Sequence, residues 1–142
     1  MFNTIIEASK NFCTHQINQT STIVNTPTKE RTLIAYIDIE TNSGYNHRVY
    51  VASDYAFMQR IAKLFLEEDE SDEETLMDMT LETANLIIGS AKVLSEATNE
   101  PYIIKTPHFE KIDFFDFHFD KCITLDINNS EMTIAIKDLN GI

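Results

Sequence analysis

The sequence is poor in glycine and proline, with three of each among 142 residues, and it has no tryptophan. So few glycines and prolines, together with 43% hydrophobic residues, exclude a collagen-like or a disordered chain. No apolar run approaches the roughly 20 residues that a membrane-spanning helix needs. The length is typical of one domain with a core of its own, so we predict a single domain over residues 1–142.

Cysteines and basic residues are also scarce. Cys13 and Cys122 lie far apart and lack the spacing of metal ligands, so we expect reduced, buried thiols. The first residues lack the basic and apolar segments of a secretory signal, which favours the cytoplasm. The net charge of −12 argues against nucleic acid and anionic membranes as partners. It either favours a partner with a basic contact surface or serves only solubility.

The first half of the chain has the periodicity of a helix followed by a β-hairpin. Apolar spacing over residues 3–18 predicts an amphipathic helix. Residues 32–41 alternate like a strand, and a turn at 42–44 joins them to a second strand near 47–52. Residues 23–24 could add a short edge strand.

Two helices are predicted next, separated by an acidic run. Ser53 is the expected N-cap of the first helix, which ends near Leu66. Its predicted core-facing residues are Phe57, Ile61, Leu64 and Phe65. We interpret the run EEDESDEE, residues 67–74, as a solvated loop or a frayed helix end. A long helix then extends from about Glu73 to Thr98.

The last third of the chain is rich in predicted strands. One strand falls in residues 102–106, and a hairpin is formed by 121–127 and 132–138. The phenylalanine-rich segment 108–120 alternates like a strand, with a packed loop as the alternative. The order of elements predicts an α+β fold, an antiparallel or mixed sheet of about six strands with long helices packed on one face.

The long helix carries a narrow polar stripe on its predicted outward side. The members of the stripe fall within an arc of roughly 60°, because a helix turns about 100° per residue. They are Asp78, Glu82, Asn85 and Gly89. Apolar residues flank the stripe on both sides, with Leu81 and Ile88 on one side and Met79, Leu86 and Val93 on the other. Either neighbouring elements cover both flanks or another protein docks across the stripe.

Gly89 needs an explanation of its own, because glycine inside a helix costs about 1 kcal/mol relative to alanine. Close packing against a neighbouring element would explain it. Access for a docking partner would explain it equally well.

The spacing Asp78-x3-Glu82-x2-Asn85 resembles the signature of the CheC, CheX and FliY phosphatases. Gly89 four residues later and Pro107, 22 residues after Asn85, also match that signature. The first residues, FNTIIEASKNF, are similar to the first helix of CheX-type proteins. The complete set Asp78-x3-Glu82-x2-Asn85 occurs once, which resembles the CheX type, since CheC-type proteins tend to carry two such sites.

The resemblance implies a CheC-like fold and a phosphatase that hydrolyses the aspartyl phosphate of a CheY-type chemotaxis response regulator. Asn85 would orient the attacking water, Glu82 would contact a lysine of the regulator, and Asp78 would support docking. Gly89 and Pro107 would be supporting, partner-binding positions. The regulator would supply Mg²⁺, so the chain would need no metal or cofactor of its own. The resemblance also implies a homodimer joined through sheet edges.

The remaining residues offer no competing catalytic site. The four histidines show no ligand or base spacing, and no glycine-rich phosphate loop is present. An asparagine amide is no base at neutral pH, but it can hold a water by donating and accepting at once. Two alternatives remain: a non-catalytic binding module for a receiver domain or flagellar switch component, and a structural domain whose stripe is merely solvated.

Overall fold

A computed structural model describes residues 1–140 and places three helices on one face of a seven-stranded antiparallel sheet. The helices are α1 (Phe2–Gln16), α2 (Tyr55–Leu66) and α3 (Glu73–Ala97). The strands are β1 (Thr22–Val24), β2 (Arg31–Thr41), β3 (Asn46–Asp54), β4 (Tyr102–Ile104), β5 (His108–Phe114), β6 (Lys121–Ile127) and β7 (Ser130–Asp138). The predicted α+β fold is confirmed, with one strand more than the expected six.

The sheet runs in the order β1-β6-β7-β3-β2-β4, and β5 pairs with β2 beside β4. Side chains of a strand alternate between the two faces, so one face of the sheet can pack against all the helices. On β2, Leu33, Ala35, Ile37 and Ile39 are fully buried on that face. The long strands β2 and β3 therefore form the floor of the main core.

The opposite face of the sheet is covered in part by the phenylalanine-rich segment. Residues 108–114 form strand β5, so the strand interpretation is confirmed for the first half of the segment. After β5 the chain leaves the sheet, and Phe115 and Phe117 pack against Tyr50, with ring centroids 5.5 Å and 4.7 Å away. The second half is thus the packed loop that was the alternative.

The prediction that Ser53 caps α2 is wrong. Ser53 is the fully buried penultimate residue of β3, where it pairs with Leu33 and Met132. The cap is Asp54, whose carboxylate accepts hydrogen bonds from the Phe57 N–H and the Glu131 N–H, both at 2.8 Å. Pairing of Ser53 with both neighbouring strands keeps this residue in β3 and moves the cap one residue later, to Asp54.

The predicted core position of Leu64 is also wrong, since its side chain is 49% exposed. The core still contacts α2 at Phe65, whose ring centroid lies 6.3 Å from that of Phe12, so Leu64 is exposed because it lies outside the covered side of the helix. None of the described helices is long and apolar enough to cross a membrane.

Residues 67–72 of the acidic run form a solvated loop, which was the first of the two interpretations, and α3 begins at Glu73. Gln59 holds this loop by donating to the Ser71 carbonyl oxygen at 2.8 Å and accepting from the Ser71 N–H at 3.0 Å. The Ser71 hydroxyl donates to Glu68 at 2.8 Å. These bonds set the point at which α3 starts.

Candidate functional site

The polar stripe lies on the side of α3 that faces away from the sheet. Asp78, Glu82 and Asn85 are exposed, and Gly89 is partly exposed. The buried side of α3 consists of Leu76, Met79, Thr80, Thr83, Ala84, Ile87, Ile88, Ala91 and Ser95. The structure therefore brings the four predicted stripe residues together on one solvent-facing line.

Capping at the start of α3 stabilises the helix that carries the stripe. The Asp72 carboxylate accepts from the Thr75 N–H at 2.8 Å, and hydrogen bonding to Thr75 lowers the pKa of Asp72. Glu73 and Glu74 add negative charge at the positive end of the helix dipole. The stripe begins one turn later, beyond the part of a helix that frays.

Glu82 and Asn85 are three residues apart, a spacing that makes side chains neighbours on a helix surface. Among the hydrogen bonds and ion pairs of residues 1–140, none involves the side chain of Asp78, Glu82 or Asn85. The carboxylate and the amide therefore keep all their hydrogen-bonding capacity for a water or a partner.

Gly89 faces open space. A Cβ atom built on this residue meets no heavy atom of another element within 4 Å. Close packing against a neighbouring element therefore does not explain the glycine. The other explanation, access for a partner, stays a prediction.

Pro107 lies outside the stripe, half-buried in the loop between β4 and β5. Both of these strands contact α3. The structure thus places Pro107 in the same region of the sheet as the helix. Its supporting role stays a prediction.

The site has the shape of a ridge rather than a pocket, because its functional groups project from the outer side of a helix. Sites that bind small ligands are usually concave and enclose most of the ligand. A ridge of this kind suits insertion into a cleft of another macromolecule.

Other chemistry receives little support from the described part of the chain. Within residues 1–140 no group of three or more His, Cys, Asp or Glu side chains is placed to hold a metal ion. Both cysteines are buried and unpaired. Burial raises the pKa of Cys13 to about 11 and raises the pKa of Cys122, which disfavours the reactive thiolate.

The family described as "Chemotaxis phosphatase CheX" matches residues 35–113, more than half of the chain. This chain belongs to the CheX family. The matched range contains α2, α3 and all five predicted site residues, from Asp78 to Pro107. No curated protein gives a significant match to this CheX-family sequence.

Solved structures share the fold of this CheX-family chain over nearly its whole length. A CheC-like protein from Shewanella oneidensis matches with a TM-score of 0.80 and 12% identity, covering 96% of this chain and 95% of that one. CheX from Vibrio vulnificus matches with a TM-score of 0.76 and 15% identity, covering 96% and 97%. A CheX–CheY–BeF₃–Mg²⁺ complex from Borrelia burgdorferi matches at 0.72 and 13%, covering 96% and 97%. At such low identity these matches show the fold alone.

Proposed function

We propose that this CheX-family protein is a phosphatase that hydrolyses the aspartyl phosphate of a CheY-type response regulator. The observation that carries the proposal is the pair Glu82 and Asn85, adjacent, exposed and uncommitted on the outward ridge of α3. The family match and the Borrelia complex of CheX with CheY support the choice of partner.

Asn85 orients the attacking water in this mechanism. The water oxygen forms a bond to phosphorus while the bond from phosphorus to the aspartate oxygen breaks; the aspartate leaves as a carboxylate, and both protons of the water leave with the inorganic phosphate. Positioning and charge stabilisation supply most of the rate in phosphoryl transfer. The Asn85 amide can accept a hydrogen bond from the water and donate one, so it fixes the water in line with the leaving oxygen.

Glu82 and Asp78 hold the regulator. Glu82 forms a charge-assisted hydrogen bond with a lysine of the regulator, which sets how deeply Asn85 enters. Asp78, one turn earlier on the stripe, adds to docking. Gly89 keeps the ridge low enough for the partner to approach, and Pro107 supports the surface beside it. Mg²⁺ belongs to the regulator, and the chain supplies no ligand to it.

The proposed state in the cell is a cytoplasmic homodimer. The path of paired strands ends at β1 and β4, each three residues long, and such edges are the surfaces through which a second copy could extend the sheet. Light scattering of the purified protein tests this assembly, and a monomer at micromolar concentration would rule it out.

The decisive experiment follows phosphate loss from a phosphorylated CheY-type receiver with Mg²⁺ present. We expect the wild-type protein to accelerate it and Asn85→Ala to lower kcat by about a hundredfold or more, as for other single groups that act on a transition state. Binding of Asn85→Ala to a receiver loaded with Mg²⁺ and beryllofluoride should change little. Asn42→Ala, in the exposed turn after β2, is the control. Full activity of Asn85→Ala contradicts the mechanism.

A non-catalytic binding module is the second candidate, because the same exposed stripe could recognise a receiver domain or a flagellar switch component without hydrolysing anything. In that case the phosphate lifetime of the receiver stays unchanged at saturating protein although binding is preserved. If the receiver does not bind and Asp78 and Glu82 can be replaced without effect, the stripe is only a solvated helix face.

A further inference from the structure

The two apolar flanks of the stripe differ in burial, although the sequence makes them look alike. On one flank Ile88 is fully buried and Leu81 is half-buried. On the other flank Leu86 is 36% exposed and Val93 is 66% exposed. On this second flank Met79 is buried, so the apolar side chains most exposed beside Asn85 are those of Leu86 and Val93.

The surface beside Leu86 is concave. A groove of about 140 Å³ lies between the C-terminal half of α1 and the middle of α3. Its lining residues are Ala8, Asn11, Phe12, His15, Gln16, Leu86 and Ser90. Ala8 and Phe12 are buried, whereas Asn11, His15 and Ser90 are exposed. An apolar centre with a polar rim is the usual anatomy of a protein interface.

The groove is continuous with the stripe. Leu86 and Ser90, which line the groove, directly follow Asn85 and Gly89 in the helix, and a Cβ atom at Gly89 would meet no atom of another element within 4 Å. A stable interface covers about 800 Å² on each partner, far more than the three polar side chains of the stripe provide. A protein centred on Asn85 must therefore also cover one flank, and within residues 1–140 the more exposed apolar side chains beside the stripe are Leu86 and Val93.

We propose that Leu86 and the α1–α3 groove form the contact that determines which receiver domain this protein accepts. The inference rests on the proposed function and names one occupant, an apolar segment on the rim of the receiver's phosphorylation site. Glu82 and Asn85 act on groups that a receiver needs for its own chemistry, so they do not distinguish receivers. The Leu86 groove contacts a rim outside that chemistry, and it therefore supplies the selection.

The test separates binding from turnover with two variants and one control. Leu86→Gln replaces the apolar contact and keeps a good helix former, and Ser90→Tyr fills the groove. Leu64→Gln changes a leucine of similar exposure on α2 that does not line the groove. For both test variants we expect KM for the phosphorylated receiver to rise roughly tenfold, as for a contact at an interface centre, with kcat unchanged. Leu64→Gln should leave both constants unchanged.

Three results would overturn the inference: KM within twofold of wild type for Leu86→Gln and Ser90→Tyr, an equal rise for Leu64→Gln, or a fall in kcat alone. Circular dichroism confirms that each variant is folded.

The proposed function is judged separately, by whether wild type accelerates phosphate loss and Asn85→Ala does not. If wild type binds the receiver without hydrolysis, the dissociation constant for the beryllofluoride-loaded receiver is measured instead of KM. The same roughly tenfold rise is then expected for the two test variants. If wild type does not bind, both proposals fail.

Discussion

Helices α2 and α3 both begin with an aspartate N-cap, but the two caps lie in different surroundings. Each starts at an aspartate whose carboxylate accepts a hydrogen bond at 2.8 Å from the N–H three residues later. Asp54, at the start of α2, is buried and also accepts from the Glu131 N–H of β7. Asp72, at the start of α3, is exposed and holds only its own helix.

The two caps differ because α2 is anchored to the sheet through its first residue, whereas α3 presents its outer side to solvent. The pKa of Asp54 is raised, chiefly by burial, although its two backbone donors lower it, whereas hydrogen bonding to Thr75 lowers the pKa of Asp72. Asp54 ties the start of α2 to the sheet, so its loss affects two elements. Within residues 1–140, Asp78, Glu82 and Asn85 on the outward side of α3 form no side-chain hydrogen bond or ion pair of this kind.

The largest effect on stability is expected from Asp54→Ala. This change leaves the N–H groups of Phe57 and Glu131 without an acceptor, and it should lower the free energy of unfolding by about 3 kcal/mol. Asp54→Asn keeps one acceptor oxygen and should lose about half as much. Urea denaturation measures both variants. A loss below about 1 kcal/mol for Asp54→Ala would show that α2 is not anchored through its cap.

Glu82→Ala should act on function instead of stability. Losing a charge-assisted hydrogen bond to the regulator's lysine should lower kcat/KM by about 10- to 100-fold, and the free energy of unfolding should change by less than about 0.5 kcal/mol. Dephosphorylation kinetics and urea denaturation test the two parts. Glu96→Ala, further along the same side of α3, is the matched control. Equal losses for both glutamates would mean that only overall charge matters.

Gly89→Ala should stabilise the fold and weaken binding of the receiver. The open space at this position allows a methyl group, so the free energy of unfolding should rise by about 1 kcal/mol. The same methyl group enters the surface that the partner covers, and affinity for the beryllofluoride-loaded receiver should fall severalfold. Thermal unfolding and a binding titration report the two effects. Unchanged affinity would remove Gly89 from the proposed interface.

Asp72→Ala should have the smallest effect. Its single exposed capping bond is worth about 0.5–1 kcal/mol, which urea denaturation can resolve. Glu70→Ala, in the same acidic loop but outside the cap and exposed, should change nothing. If Asp72→Ala costs as much as Asp54→Ala, the contrast between the two helices is wrong.

Local patterns predicted the elements well but not all of their boundaries. The β2–β3 hairpin and α3 were predicted within one or two residues, because alternation and helical period are properties of contiguous residues. Ser53 and Asp54 are both good N-cap residues, and only pairing with β2 and β7 decides that the strand continues through Ser53. Leu64 follows the period of α2 and is nevertheless exposed, whereas Phe65 packs against Phe12, because only packing against α1 decides which side of the apolar stripe is covered.

The sequence by itself determined which residues share the outward line of α3. Asp78, Glu82 and Asn85 fall together because the helix has 3.6 residues per turn, whatever packs around it. Only the tertiary structure decided which flank of that line is covered and that Gly89 faces open space. The physical reason is that burial depends on elements distant in the chain. The groove beside Leu86 exists because α1, more than 50 residues earlier, packs against α3.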